Sequence, residues 1–173
     1  MLEQGNEVGV HGINAWHDPE DGYQERKRIT DMTRCENTGV RIHWLFQNAQ
    51  MFANLEMAGY AYDSTFGYND AVGFRGGTVQ AFRPLGVKKL LELPLHIQDT
   101  ALFFPAKMGL PERKAMELCQ NIIRNARSFG GVLTILWHQR SLAPERLWGH
   151  FYAALLEEMQ KNKVWFGTAG DVV

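Results

Sequence analysis

The regular alternation of apolar, strand-like runs with helical stretches is the feature that most constrains the fold of this 173-residue chain. The alternation is clearest in the last third. Apolar side chains recur at helical spacing over 112–129, and Gly130 and Gly131 then interrupt that helix. Residues 132–137 are nearly all apolar, as expected for a strand that a parallel sheet buries on both faces. This order predicts βαβ units and a parallel sheet.

The rest of the chain predicts further strands and helices in the same alternation. The predicted strands are 7–10, 40–44, 60–64, 90–97 and 164–166, and the predicted helices are 19–36, 47–58 and 144–161. Asp18 is the expected N-cap of the helix at 19–36, with Pro19 at its first position. The glycine-rich segment 66–88 is predicted to be a long loop, and such loops are usually functional or disordered. Alternation alone does not distinguish a closed barrel from an open sheet.

Composition and charge limit the class of protein. The length predicts one domain over 1–173, and the formal net charge of −1 gives no indication of a nucleic-acid partner. The sequence contains neither a membrane-spanning apolar run nor a leader-like start, so the chain as it stands would be cytoplasmic, with its true localisation unknown. Cys35 and Cys119 do not make a disulfide scaffold. Both ends are expected to lie inside a helix, which predicts a chain that is incomplete at both ends.

Titratable side chains collect where the predicted strands end. His11 and His138 each follow a predicted strand directly, Asp63 ends another, and Arg41 lies on a fourth. In a parallel β/α barrel the carboxyl ends of the strands converge on one face, and that face holds the active site. These residues are therefore expected to form one site although they are far apart in the sequence.

The segment 11–18 is the strongest candidate for a metal site. It places His11, His17 and Asp18 within eight residues, between a strand and a helix. Neutral imidazole is the commonest ligand for a catalytic divalent metal, and such a site needs about three protein ligands. His11 is favoured as a ligand, whereas Asp18 is better explained as an N-cap alone. His138 is favoured as a pocket residue over a core histidine, because polar residues follow it.

Five segments occur in an order that matches a known family. They are 5–11 (GNEVGVH), Arg41 with 56–65 (EMAGYAYDST), 73–75 (GFR), 91–94 (LELP) and 133–138 (LTILWH). Together they resemble the polysaccharide deacetylases, the NodB-homology family of carbohydrate esterases. The first segment is similar to the strand that delivers the family's first metal histidine, and the last to the motif whose Leu-His pair ends a strand. Each motif alone is weak, but the ordered set is fairly specific and covers nearly the whole chain.

The resemblance implies a distorted (β/α)7 barrel that lacks its first strand. It also implies a metal-dependent hydrolase that removes acetyl groups from N- or O-acetylated polysaccharide, with metal-bound water attacking the acyl carbon. The metal would be Zn²⁺, or else Co²⁺. The implied roles are catalytic for His138 (general acid) and Arg41 (orienting a catalytic carboxylate), metal-binding for His11 and His17, and substrate-binding for Trp137, Arg75 and Asp63.

Two departures from the family pattern leave alternatives open. The family spaces its metal histidines four apart, but Ala15 occupies that position here and His17 comes six residues after His11. The Asp pair of the family's first motif, one the base and one a metal ligand, has no counterpart before His11, so weak or no activity is expected for this chain. A non-catalytic carbohydrate-binding barrel of the same fold is the alternative. A glycoside hydrolase, which needs two facing carboxylates, ranks below both.

Overall fold

A computed structural model describes residues 2–143 and 146–173 of the chain, which divides into two compact units. The first unit consists of the residues up to Phe66 together with 80–94 and 167–173. The second unit consists of 67–79 and 95–166. Each unit therefore combines separate stretches of the sequence, and the single domain expected for 1–173 stays a prediction.

The first unit is a four-stranded parallel sheet with two helices. In chain order its elements are β1 (Val10–Gly12), α1 (Pro19–Thr33), β2 (Val40–Ile42), α2 (Met51–Met57), β3 (Tyr62–Asp63) and β4 (Leu91–Glu92). The strands lie in the order β1-β2-β3-β4, and each runs parallel to its neighbour. The core includes Val40, Ile42, Leu55 and Tyr60. The carboxyl ends of all four strands therefore meet at one edge of this sheet.

Two local features explain how the first unit is built. The Asp18 side chain accepts hydrogen bonds from two first-turn amides of α1 and Pro19 is the first helical residue, which confirms the predicted start of this helix. Gly39 lies directly before β2, and a Cβ atom there would be only 1.9 Å from the ring of Tyr62. Only glycine leaves room for this ring, so Gly39 allows β2 and β3 to pair closely.

The second unit is a parallel strand pair covered by helices. Its elements are β5 (Leu95–Gln98), α3 (Asp99–Phe103), α4 (Glu112–Phe129), β6 (Thr134–Leu136) and α5 (Gly149–Lys161). β5 pairs parallel with β6. The core includes Ile97, Leu102, Cys119, Phe151 and Leu155. The predicted bounds of α4 are confirmed, whereas Pro144, the predicted start of the last helix, lies outside the described residues. Among the described residues, no helix is long and apolar enough to cross a membrane.

The predicted distorted (β/α)7 barrel is confirmed only as a parallel α/β fold, because the described strands form two separate sheets of four and two strands. The predicted strand 90–97 was wrong as a single strand. It is divided into β4 and β5 at Pro94, which has no N–H to donate to a ladder. The predicted strand 164–166 is not a strand, and Trp165 is 68% exposed. An apolar run without a neighbouring strand does not form a ladder.

Candidate functional site

A histidine held by a buried carboxylate lies at the strand ends of the second unit. Asp99 directly follows β5, and His138 follows β6 by two residues. Because β5 and β6 are parallel, both residues lie at the same edge of the strand pair. His138 Nδ1 is 2.7 Å from Asp99 Oδ1, and the backbone N–H of His138 donates to Asp99 Oδ2 at 2.8 Å. The carboxylate thus fixes both the ring and the backbone of His138.

Asp99 is equipped to stay ionised although it is fully buried. Beyond the two bonds from His138, it accepts the backbone N–H of Thr100 at 2.7 Å and the hydroxyl of Ser141. Burial by itself would raise the pKa of Asp99, but the hydrogen bonds from His138 and Ser141 outweigh that effect and lower the pKa. Asp99 is therefore an ionised carboxylate, and it accepts a hydrogen bond from the protonated Nδ1 of His138.

This arrangement suits proton transfer by His138. A carboxylate on Nδ1 selects the tautomer that carries its proton there, which leaves Nε2 as the nitrogen that exchanges a proton with a reactant. The side chain of His138 is 34% exposed, so its ring reaches the surface while Asp99 does not. The pair has the geometry of a general acid or base with its positioning residue.

Trp137 lies beside this pair and packs mainly on aromatic rings. Its ring is stacked 5.0 Å from Tyr152 and 6.0 Å from Phe151, measured between centroids. Its Nε1–H is buried and has no hydrogen-bond acceptor among the described residues. A buried donor without an acceptor is uncommon, so this N–H is suited to a ligand oxygen. The role of Trp137 in the acetyl pocket stays a prediction.

Arg75 lines a cavity of the second unit. Its Nη1 donates to the carbonyl oxygen of Gly67 at 2.8 Å, and its guanidinium carbon lies 6.0 Å from the ring centroid of Tyr68. Arg75 and Tyr68 both border a cavity of about 570 Å³. This placement is compatible with the substrate-binding role expected for Arg75, which stays a prediction.

In the first unit, the strand ends bring two imidazoles together. His11 lies on β1, and His43 follows β2. His11 Nε2 is 2.7 Å from His43 Nδ1, and the two rings are perpendicular with centroids 4.9 Å apart. His43 falls within the predicted strand 40–44, but the sequence analysis assigned it no role. The structure therefore adds His43 to the candidate site.

His17, the predicted second metal ligand, lies in the turn between β1 and α1. It is exposed, and its ring is 4.7 Å from that of Trp16. Glu25 on α1 holds this turn by accepting the backbone N–H groups of Ile13 and Asn14. His43 is a hydrogen-bond partner of the His11 imidazole, and the role of His17 as a metal ligand stays a prediction.

Two imidazoles could bind a metal here, but they do not form a complete ligand set. Neutral imidazoles at one strand edge suit Zn²⁺ or Co²⁺ as two of its ligands. Across residues 2–143 and 146–173, no group of three or more His, Cys, Asp or Glu side chains could hold a metal ion. The residues therefore fit the predicted metal only in part.

Arg41 is anchored to the neighbouring strand segment. Its Nε donates to the carbonyl oxygen of Ser64 at 2.9 Å, and its Nη2 donates to the Ser64 hydroxyl at 2.6 Å. Burial lowers the pKa of Arg41, while the charges of Asp63 and Glu92 oppose that shift. A guanidinium remains charged in such surroundings. Its predicted role of orienting a catalytic carboxylate stays a prediction.

Asp63 and Glu92 form a buried acid pair beside this arginine. They are register partners on β3 and β4, and both are 0% exposed. Asp63 Oδ1 accepts from the hydroxyl of Thr65, and Glu92 Oε1 accepts the backbone N–H of Phe66. Their other oxygens, Asp63 Oδ2 and Glu92 Oε2, are buried and have no donor among the described residues. Asp63 is fully buried in this structure, and its expected role in substrate binding stays a prediction.

A single proton shared between Asp63 and Glu92 explains how both carboxyl groups can be buried side by side. Burial raises the pKa of both carboxyl groups, and the charge of Asp63 raises that of Glu92 further. The two carboxyl groups are within hydrogen-bonding reach of each other. One proton between them satisfies both remaining oxygens and removes the repulsion of two buried charges. The pair therefore shares one proton, and the pKa of Glu92 is raised well above its ordinary value.

Comparison with known proteins supports the fold. No family model matches the chain, and no curated protein matches it. Among solved structures, the chain is similar to one named "putative polysaccharide deacetylase from Mycobacterium smegmatis", with a TM-score of 0.68 and 20% identity. The match covers 99% of this chain and 63% of that protein. The α/β fold is similar to a polysaccharide deacetylase fold. The family recognised from the ordered motifs is thus confirmed at the level of the fold.

Two residues of the candidate site were not assigned to it from the sequence. Asp99 carried no signal beyond being an acidic residue shortly after a strand, and its importance depends on the pairing of β5 with β6. His43 lies two residues after Arg41, but only the register of β1 on β2 brings it to His11. In both cases the missing information was which strands are neighbours.

Proposed function

We propose that the protein is a hydrolase that removes acetyl groups from acetylated glycans, with His138 as the general acid. The observation that carries the proposal is the bond between His138 Nδ1 and the buried, ionised Asp99. The similarity of the fold to a polysaccharide deacetylase supports acetylated glycan as the substrate class. The same fold accommodates many chemistries, so the site carries more weight than the fold.

His138 would act on the leaving group. Hydrolysis adds water to the acyl carbon and then breaks the bond from that carbon to the sugar nitrogen or oxygen. Nε2 of His138 first takes a proton from the attacking water and then passes it to the departing atom, while Asp99 holds the other proton on Nδ1. His138 is thereby back in its starting state, and the products are acetate and the free amine or hydroxyl. Such general acid catalysis typically contributes about 10²- to 10⁴-fold in rate.

Two further assignments belong to this proposal. The Nε1–H of Trp137 would donate to the acetyl carbonyl, because it is buried and lacks an acceptor in the described part of the chain. A divalent metal, Zn²⁺ or Co²⁺, would polarise the acyl oxygen and lower the pKa of a bound water. His11 and His43 supply two imidazoles for it, and His17 remains the ligand expected from the sequence. Since three ligands do not come together among the described residues, no step is assigned to the metal.

Acetate release tests the proposal. The 173-residue chain, and any longer natural protein that contains it, would be incubated with acetylated xylan and with N-acetylchitooligosaccharides in the presence of Zn²⁺ or Co²⁺. Release of acetate is expected, with a loss of about 10²-fold or more in His138→Ala. His150→Ala is the matched control, because His150 is an exposed imidazole that pairs with Glu112 on α4. Equal activity of the two variants, or no acetate from any glycan, contradicts the proposal.

A non-catalytic carbohydrate-binding protein is the second candidate. The observation in its favour is that a three-ligand metal group is missing from residues 2–143 and 146–173. This candidate predicts glycan binding that a chelator does not change, with no acetate released. Acetate release that depends on His138 excludes it.

A further inference from the structure

The cavity of the second unit has the size and position of a ligand site. Its volume of about 570 Å³ is within the range of small-molecule sites. One wall comes from the long loop predicted at 66–88, through Tyr68, Asn69 and Arg75. The other wall comes from the segment after α3, through Phe104 and Lys107. Long loops in compact proteins are often functional, which fits a binding role for this one.

The charge of the cavity wall is positive on balance. Two cations, Arg75 and Lys107, face a single acid, Asp70. Lys107 Nζ is held by neutral oxygens, donating to Asn69 Oδ1 at 3.0 Å and to Thr100 Oγ1 at 3.3 Å. No ion pair of Lys107 with a carboxylate is found within the described residues. The charges of Asp70 and Asp99 act on Lys107, but neither carboxylate is in ion-pair contact with it among the described residues, so a bound anion can still pair with the ammonium group.

The remaining wall offers aromatic surface. Tyr68 is 40% exposed and Phe104 is 42% exposed, although large aromatic side chains usually bury most of their area. A guanidinium beside an aromatic ring, as Arg75 is beside Tyr68, binds a carboxylate while the ring packs on an apolar face. The face of a pyranose ring has such an apolar surface, and a sugar acid carries both groups in one molecule.

A chain of hydrogen bonds connects this cavity to the proton-transfer pair. Lys107 Nζ donates to the hydroxyl of Thr100, and the backbone N–H of Thr100 donates to Asp99. Asp99 in turn holds His138. Thr100 and Asp99 therefore connect Lys107 to the imidazole of His138 within the same unit.

We infer that the cavity binds the carboxylate of an acidic sugar, so that the glycan recognised by this protein carries uronate or a similar carboxylated residue next to the acetylated one. Arg75 and Lys107 bind the carboxylate, and Tyr68 and Phe104 contact the sugar ring. The inference names the substrate class of the proposed deacetylation and rests on that proposal for the glycan nature of the ligand.

Binding of two matched oligosaccharides tests the inference. A hyaluronan tetrasaccharide contains glucuronate beside N-acetylglucosamine, whereas N-acetylchitotetraose has the same length and no carboxylate. Titration calorimetry at low salt is expected to show hyaluronan binding about tenfold more tightly, as charge-assisted hydrogen bonds predict. The preference should decrease as salt is added. Equal affinity for the two probes, or no measurable binding of either, overturns the inference.

Charge variants identify the site. Arg75→Gln and Lys107→Gln are each expected to remove the preference for hyaluronan over N-acetylchitotetraose, because each removes a cation that pairs with the carboxylate. Lys114→Gln is the control, because Lys114 is an exposed cation on α4 and its removal changes the net charge equally. Loss of the preference in the control overturns the inference. Because binding needs no turnover, a hyaluronan preference without acetate release refutes the proposed function and leaves this site intact.

Discussion

Asp99 and Glu92 are both fully buried carboxyl groups at the carboxyl ends of parallel strands, yet their charge states differ. Asp99, in the second unit, accepts four hydrogen bonds from Thr100, His138 and Ser141, and its pKa is lowered. Glu92, in the first unit, faces another carboxyl group, and its pKa is raised. Burial alone would raise both pKa values, so the partners decide the outcome.

The difference separates a carboxylate that holds an imidazole from a carboxyl pair that shares a proton. An ionised Asp99 controls the tautomer of His138 and so prepares it for proton transfer. The shared proton of Asp63 and Glu92 instead satisfies two buried oxygens and holds β3 against β4. A buried acid at a strand end is therefore not evidence of catalysis until its donors are known.

Removal of the Asp99 charge is expected to have the largest effect. Asp99→Asn replaces one accepting oxygen with an NH₂ group, which cannot accept the hydrogen bonds that His138 and Ser141 donate. The free energy of unfolding should therefore fall by about 2–4 kcal/mol. In the folded fraction, kcat for acetate release should fall by about 10²-fold with KM nearly unchanged, because the imidazole loses its fixed tautomer. Urea unfolding and steady-state kinetics measure the two effects. A change in stability without a change in kcat would reduce Asp99 to a purely structural role.

The same chemical change at Glu92 is expected to act in the opposite direction. Glu92→Gln replaces the shared proton with an amide that donates permanently to Asp63, and its carbonyl still accepts from Phe66. The free energy of unfolding at neutral pH should stay constant or rise by up to about 1 kcal/mol. Glu117→Gln on α4 is the control, since the carboxylate of Glu117 is exposed and pairs with Arg113 at the surface. Destabilisation by several kcal/mol would show that Glu92 is ionised.

The pH dependence of stability should differ in sign between the two groups. Glu92 has a raised pKa in the folded state, so its contribution is complete below its unfolded pKa and is lost as the pH rises through the folded value. Asp99 has a lowered pKa, so its contribution is present above its unfolded pKa and is lost as the pH falls through the folded value. Urea midpoints across acid and alkaline pH should show Glu92→Gln reducing only the alkaline loss and Asp99→Asn only the acid loss. Identical pH curves for both variants would contradict the assigned charge states.

The smallest effect is expected for the histidine pair, whose mutual hydrogen bond is exposed to solvent. His43→Ala should change the free energy of unfolding by no more than about 0.5–1 kcal/mol, because its bond to His11 is exposed. If Zn²⁺ binds this pair, added Zn²⁺ should raise the Tm slightly, and the rise should disappear in His43→Ala. His17→Ala provides the comparison, since His17 is the ligand expected from sequence. A rise lost only in His17→Ala would restore the original assignment.

The sequence predicted the individual helices and strands better than it predicted which strands pair with each other. The start of α1 at Asp18 and Pro19, and the whole of α4, follow from capping and periodicity, which are local. The position of His138 after an apolar strand was also visible. The partnership of His138 with Asp99 was not, because it requires β5 and β6, 35 residues apart, to pair. The division of strand 90–97 was readable from Pro94. The choice between a closed barrel and an open sheet could not be made from alternation alone.

The protonation of the His138 ring tests the central claim, that a buried, ionised Asp99 fixes this imidazole for proton transfer. Nitrogen-15 correlation spectra of the histidine side chains would locate the proton directly, with exposed His150 as an internal reference. The expected result is a slowly exchanging proton on Nδ1 of His138 that disappears in Asp99→Asn. An unprotonated Nδ1 at neutral pH, or a spectrum that Asp99→Asn leaves unchanged, would contradict the account.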